Sequence, residues 1–288
     1  MNATPLRAAC VAPTIQFTPH EIGRAAMLGL YDELALAPKP GLVSLVDRGS
    51  HSDMDAHTFM RSLFSLRHYF AQIAELGAQR APLSMLEACG IAAEARMRAA
   101  TDGINTHRGA IFSLGLLCAA AAARGRDKLS TSPAVLRASL LQHWGAALHE
   151  RSYRVSTLSG GIAARQHGLR SASQEAAFGF PVLFETAAPT LTRALASGMT
   201  AQRARLQTLF AIIAVLDDSN LAHRGGLAGL RYAQRVAQDY LTKGGAARSD
   251  GLHAAQAIHR DFVARRLSPG GAADLLAAAC WLRRIDVT

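Results

Sequence analysis

Three stretches of the chain gather side chains able to do chemistry on an anionic substrate. Thr101 to Gly115, TDGINTHRGAIFSLG, sets the amide, hydroxyl, imidazole and guanidinium groups of Asn105, Thr106, His107 and Arg108 between Gly103 and Gly109, at the start of an apolar run. Unpaired backbone N–H groups and the macrodipole favour an anion at such a helix start. Two readings stand side by side: a phosphate site, and a helix cap in which Asn105 or Thr106 satisfies backbone groups while its neighbours are solvated. The second stretch, His51-Ser52-Asp53-Met54-Asp55, offers two carboxylates and an imidazole. One aspartate suffices to cap the following helix, which leaves the other free to hold Mg2+ through oxygen or to orient a hydroxyl. In the third, Asp217 and Asp218 directly follow an apolar run and precede Asn220, His223, Arg224, Gly225 and Gly226. Two carboxylates are unfavourable at a helix C-terminus, so a cation is expected to offset them, either Arg224 or a metal ion.

Further acids and bases lie near these stretches. Glu94 is spaced i, i+4 from Arg98 and sits just before Thr101. As a surface ion pair it is worth only about 0.2–0.5 kcal/mol, but its place near the helix end carries it towards the same pocket. Glu175, beside small residues in QEAAFGFP, is a candidate general base or support for a metal ligand, with a capping or solvated role as the plain alternative. Asp53, Asp55, Glu94, Asp217 and Asp218 as acids, with Lys39, Arg48, Arg108 and Arg224 as bases, suit a phosphorylated nucleoside held through Mg2+. The carboxylates are then left to assist glycosyl chemistry. No Walker loop, dinucleotide fingerprint or nucleophile elbow is present.

Helices must position these groups. Half of the 288 residues are hydrophobic but only 6% are aromatic, and Ala and Leu dominate over Val and Ile, which favours helix over sheet. The expected architecture is all-α: a single compact multi-helix domain with a buried apolar central helix over 109–123 and a polar pocket built from helix-start loops. Residues 1–17 are expected as a flexible tail and 18–288 as the catalytic domain. Thr18, Pro19 and Glu21 spell a capping box that opens a helix to about residue 36, and Pro38 and Pro40 hold the next segment extended. Helices are expected over 56–76, from Pro82, over 133–150, 181–196, 201–216, 227–241 and 252–266, and from Ser268 onwards. In that last helix Asp274 falls in the first turn, where it suits the dipole. Residues 153–170 are the least regular and read as a mobile connection or lid.

Lys and Arg number 31 against 21 Asp and Glu, a net charge of +10 that is mostly arginine and scattered. This suits bidentate recognition of phosphate or carboxylate better than a polybasic nucleic-acid arm. Cys10, Cys89, Cys118 and Cys280 show neither close pairing nor zinc spacing, and three lie in apolar helical patterns, as buried thiols in a reducing compartment do. The first residues lack a signal-peptide core, and the most apolar run, 110–123, falls short of the roughly 18 residues that span a bilayer. A cytoplasmic protein with no membrane and no nucleic-acid partner is expected.

The runs PKPGLV, HSDMD, GINTHRGAIFSLG, QEAAFGFP, DDSNLAHRGG and SPGGAADLLA, in this order over 38–276, resemble the signature blocks of the triphosphoribosyl-dephospho-coenzyme A synthase family. The resemblance implies an all-helical transferase that moves the triphosphoribosyl group of ATP to a ribose hydroxyl of 3′-dephospho-coenzyme A and releases adenine. The product is the prosthetic-group precursor for the acyl carrier protein subunit of citrate lyase or malonate decarboxylase, attached by a separate prosthetic-group transferase; the malonate decarboxylase branch is preferred.

The resemblance also implies roles. Asp53 and Asp218 organise Mg2+ or stabilise the anomeric centre, with Asp55 and Asp217 as further metal ligands. Glu94 and Glu175 are the base candidates, His51, Asn105, Thr106, His107 and Asn220 contact substrate, and Lys39, Arg108, Arg224 and Gly225 help cradle the triphosphate. One departure stands out: Ser173 occupies the place of an expected Arg ahead of Glu175, which leaves Arg170 to supply a phosphate contact. Two other functions fit the same residues. One is an Mg2+-dependent glycohydrolase of ADP-ribose-like substrates with water as acceptor; the other is a non-enzymatic basic helical adaptor for an acyl carrier protein.

Overall fold

Thr18, Pro19 and Glu21 open the first helix as their spacing predicts. The Thr18 hydroxyl accepts from the Glu21 N–H while the Glu21 carboxylate accepts from the Thr18 N–H, so two otherwise unpaired donors are satisfied reciprocally. The computed structural model describes residues 17–126 and 132–286. The expected tail, apart from Phe17, and Cys10 lie outside the described residues.

Helices α1 (Pro19–Leu34), α2 (Ala56–Ser65), α3 (Tyr69–Ala78), α4 (Leu83–Ala100), α5 (Arg108–Arg126) and α6 (Pro133–Ser152) make the first half. The second half holds α7 (Ser159–Gln166), α8 (Ala172–Ala177), α9 (Ala188–Ala196), α10 (Ala201–Val215), α11 (Ser219–Thr242), α12 (Gly251–Ala264) and α13 (Gly270–Ile285). Among the described residues there is no strand, and the helices form a single compact all-α domain. Helix α5 packs against α3, α6 and α13, and its Leu114 and Leu117 are fully buried. Truncating either to Ala is expected to cost about 2–5 kcal/mol. No helix among the described residues is long and apolar enough to cross a membrane. Cys118 and Cys280 are buried free thiols and Cys89 is a half-buried one.

Several elements differ from the sequence reading. The helix expected over 56–76 is two. Ser65 and Arg67 donate to the carbonyls of Ser62 and Phe64, closing α2, and the turn that follows sends Leu66, Tyr69 and Phe70 into the core. The connection over 153–170 contains α7. The helix expected from Pro181 begins as a π turn over Val182–Ala187, where the Val182 N–H donates to the Glu175 carboxylate. Residues 219–225 form the opening turns of α11 rather than a loop, and Gly226 bends that helix with φ 64° and ψ −172°, a conformation that excludes residues with a Cβ.

Candidate active site

The two adjacent aspartates after α10 are not left at a helix C-terminus. Leu216 is extended, and Asp218 becomes the N-cap of α11. One carboxylate oxygen accepts from the N–H groups of Asn220 (2.9 Å) and Leu221 (3.3 Å); the other accepts from Ala272 (3.0 Å), and the Gly271 N–H also bonds the carboxylate. A single carboxylate, 1% exposed, thus caps both α11 and α13. The expected offsetting cation is replaced by the partial positive ends of two helices. Burial pushes the Asp218 carboxyl up to about 6, against the pull of those backbone donors.

Asp274, on the first turns of α13, reaches a third helix start. It accepts from the Ala110 N–H, and its Oδ2 lies 1.9 Å from where a Cβ on residue 109 would stand, so Gly109 is required by this close approach. Burial, with the charges of Glu33 and Asp218 adding to it, raises the Asp274 carboxyl well above the usual range. The nearby cation is Lys39, 1% exposed, whose Nζ donates to the Glu33 carboxylate (2.5 Å) and the Glu33 carbonyl (2.8 Å). Burial lowers the Lys39 ammonium, and Glu33 opposes that shift. The N-termini of α5, α11 and α13 therefore converge on buried carboxylates beside one buried lysine.

His107 completes this centre. Thr106 Oγ donates to Ser62 Oγ (2.6 Å), and Ser62 Oγ sits 2.6 Å from His107 Nδ1. With Ser62 receiving the Thr106 proton and passing its own to Nδ1, the imidazole proton stands on Nε2. That atom is buried and has no hydrogen-bond partner among the described residues. Burial, reinforced by the Lys39 charge, pulls His107 down to about 3, so the ring is neutral. Next to it, Asn105 caps the Arg108 N–H, and the Arg108 guanidinium grips Glu94 through Nε (2.7 Å) and a terminal nitrogen (2.5 Å); the expected Glu94–Arg98 pair is a looser 3.9 Å.

The other predicted residues form flanking groups. His51 Nε2 meets Ser268 Oγ at 2.9 Å and its Nδ1 is 3.7 Å from Asp53, while Arg224 donates to the carbonyls of Ser50 and Arg266 and feels the Asp53 charge. The loop 51–55 is thereby tied to the start of α13. Asn220 stands against Gly270, and Gly225 packs on Leu267. Glu175 bonds Arg170 (3.3 Å) and the Val182 N–H (2.7 Å), and the Arg170 N–H donates to Asp217 (3.2 Å). Burial raises the Glu175 carboxyl. Ser173 is approached by Arg151, which also pairs with Glu87.

The four carboxylates expected to hold Mg2+ do not form one ligand set. Asp55 caps α2 and pairs with Arg48, Asp217 is bonded by Arg170, the oxygens of Asp218 are taken by backbone donors, and Asp53 stands apart, 60% exposed. Among the described residues no group of three or more His, Cys, Asp or Glu is placed to hold a metal ion.

Sequence reasoning missed Glu33, Ser62, His259, Ser268 and the central role of Asp274. His259, 4% exposed, has Nδ1 2.5 Å from the Lys39 carbonyl and Nε2 3.1 Å from Asp47. The ring ties α12 to the loop that carries Lys39. His259→Leu is expected to lower stability by about 0.5–1.5 kcal/mol by losing the tie to Lys39 and Asp47, whose oxygens keep their bonds from Leu42 and Gly49, read from the urea unfolding midpoint. An unchanged midpoint would show the clamp to be idle.

The described residues thus form an all-helical body that gathers three helix starts around buried acids and a lysine. A family profile described as CitG, ATP:dephospho-CoA triphosphoribosyl transferase, matches residues 19–288. The chain is 35% identical over 261 residues to a protein of Acinetobacter calcoaceticus, covering 91% of this chain and 89% of that one. It is 36% identical over 283 residues to one of Vibrio cholerae serotype O1 (strain M66-2), covering 92% and 87%. Both relatives carry the name "probable 2-(5''-triphosphoribosyl)-3'-dephosphocoenzyme-A synthase". No solved structure matches. The chain belongs to the ATP:dephospho-CoA triphosphoribosyl transferase family and is a transferase.

Proposed function

We propose that the helical body from Thr18 onwards transfers the triphosphoribosyl group of ATP to the ribose 2′-hydroxyl of 3′-dephospho-CoA and releases adenine. The bond from the ATP ribose C1′ to adenine breaks, a bond from C1′ to the acceptor oxygen forms, and the hydroxyl proton is balanced by the proton that adenine gains. The observation that carries this reading is the convergence of three helix N-termini, Lys39 and the unpartnered His107 Nε2–H on one buried carboxylate cluster.

Such a centre suits a reaction in which the phosphoryl bonds stay intact. Arg108 and Arg224 at the rim meet the triphosphate, and the positive ends of α5, α11 and α13 with Lys39 offset the carboxylates behind them. His107 Nε2–H donates to a substrate oxygen or purine nitrogen. Charge built up at C1′ is stabilised by the ionised carboxylate of Asp218, while Asp274, whose environment favours the neutral acid, protonates the departing adenine. Glu175, with its raised carboxyl, suits the base that receives the hydroxyl proton better than Glu94, which Arg108 holds. Asp53 and His51 orient the acceptor. A protein-held Mg2+ does not fit the carboxylate placement, so no step is routed through one; Mg2+ that accompanies ATP is part of the substrate. The product would serve an acyl carrier protein through a downstream prosthetic-group transferase.

Incubation with ATP, Mg2+ and dephospho-CoA, followed by mass analysis, is expected to show a triphosphoribosyl adduct and one equivalent of adenine. Adenine formed from ATP without the acceptor would favour a glycohydrolase instead. Binding of an acyl carrier protein with no adduct under any condition would favour the adaptor.

A further inference from the structure

A cleft of about 530 Å³ opens on the outer side of α2, lined by His57, Met60, Arg61, Phe64 and Arg67 with Ala100 from the end of α4. That volume lies within the roughly 300–1,000 Å³ of small-molecule sites. Its composition is specific: two guanidinium groups, an imidazole, and a phenyl ring left 59% exposed, with no carboxylate in the lining. A solvated helix face has no reason to keep Phe64 beside Met60 and Ala100, whereas a ligand with an anionic and an apolar part uses both.

The cleft adjoins the centre described above. Arg61 pairs with Asp102 at 3.0 Å, within the 101–115 stretch, and the next residue, Ser62, is buried on the inner side of α2 against His107 and Thr106. One helix thus presents the catalytic hydroxyl network inwards and the cationic cleft outwards.

We propose that this cleft binds the diphosphate and the neighbouring alkyl-amide arm of the acceptor dinucleotide, with Arg61 and Arg67 on the phosphates and Phe64 and Met60 against the arm. The assignment rests on the transfer reading above. The triphosphate of ATP is the other possible source of phosphate. ATP's one apolar group, the adenine, lies on the far side of the ribose from its phosphates, so ATP sets no apolar arm directly beside them. The acceptor joins its diphosphate directly to the alkyl-amide arm, as Arg61 and Arg67 stand beside Met60 and Phe64 in the lining of the cleft.

The test is calorimetric binding of dephospho-CoA and of ATP, separately, to the full chain and to its Arg67→Ala and Phe64→Ala variants. Both side chains are exposed and outside the core, so the variants are expected to fold. Each is expected to weaken dephospho-CoA about tenfold while ATP affinity stays within twofold, with Arg67→Lys recovering part of the loss. Unchanged dephospho-CoA affinity in the double variant, with adduct still formed, overturns the cleft assignment and leaves the transfer reading intact. Weakened ATP affinity instead assigns the cleft to the other nucleotide and also overturns it. A full chain that binds neither nucleotide and forms no adduct overturns both.

Discussion

His107→Phe is expected to lower kcat/KM for triphosphoribosyl transfer by about 100- to 1,000-fold, the loss typical of one preorganised donor in a water-excluded site. The substitution keeps a ring of similar size where His107 is 2% exposed and meets Phe59 edge-on at 5.0 Å between centroids. What it removes is the Nε2–H that no group among the described residues receives. A buried donor without an acceptor costs the folded protein about 1–3 kcal/mol, so the phenyl variant should be at least as stable as the parent even though Ser62 loses its acceptor. Lost activity with retained stability separates a substrate-contacting donor from a packing residue. The ring is held neutral far below its ordinary titration range by burial, so the loss should be the same at pH 6 and pH 8. Ser62→Ala, which frees the tautomer but keeps the ring, should fall between parent and His107→Phe. Retention of full activity in the phenyl variant would remove His107 from the site.

Local chemistry made part of this centre readable in the sequence. The capping box at Thr18, the cap supplied by Asp55 and the apolar run of α5 each depend on residues a few positions apart, where spacing and periodicity carry the information. The polar helix start at 105–108 was readable for the same reason, although the sequence alone left cap and phosphate site open. The structure gives Asn105 the capping bond and leaves His107 Nε2 without a partner among the described residues. What could not be read depends on partners far away in the chain. The second oxygen of Asp218 is satisfied 54 positions on, and Lys39 is clamped by a histidine 220 positions away. Asp274 looked like a residue placed for its own helix dipole, and only the packing of α13 beside α5 brings it to Gly109. Its sequence signal was an acid set among small residues, Gly270-Gly271-Ala272-Ala273, in an otherwise apolar helix. Glu33 stands six positions before the lysine it binds, in the last turn of α1. The expectation of a cation beside Asp217 and Asp218 failed because the boundary between α10 and α11 falls just before Asp218, which turns an unfavourable C-terminal charge into a favourable N-terminal one.

Asp218→Asn is expected to abolish transfer and, separately, to reduce the stability that this centre contributes in acid. In the folded protein burial raises Asp218 from 3.8 to about 6. Between those values the native state holds a proton that the unfolded chain has lost, so this residue's contribution to stability declines as pH rises through the window. The change is about 3 kcal/mol at about 1.36 kcal/mol per pH unit. His107 works in the opposite sense: its folded value of about 3 lies below 6.5, so the unfolded chain takes up the proton first and stability is lost as pH falls through the window. Asp274, raised by burial and by its acidic neighbours, acts in the same sense as Asp218. Within this centre two raised carboxyls therefore titrate against one lowered histidine, and the centre's contribution to stability should grow as pH falls from 6 to 4. Removing the Asp218 titration leaves Asp274 opposed by His107, and urea midpoints measured at pH 4, 5, 6 and 7 should gain less on acidification than those of the parent. At pH 7 the asparagine escapes the cost of a buried charge but offers one acceptor oxygen to donors from two helices, each cap being worth about 0.5–2 kcal/mol. The midpoint there should move little. His107→Phe should change the profile the other way, with stability falling more steeply than the parent's as pH rises from 4 to 6. Parallel profiles for the parent and Asp218→Asn would mean that the carboxylate is not the titrating link between α11 and α13, and its place at the anomeric centre would fall with that.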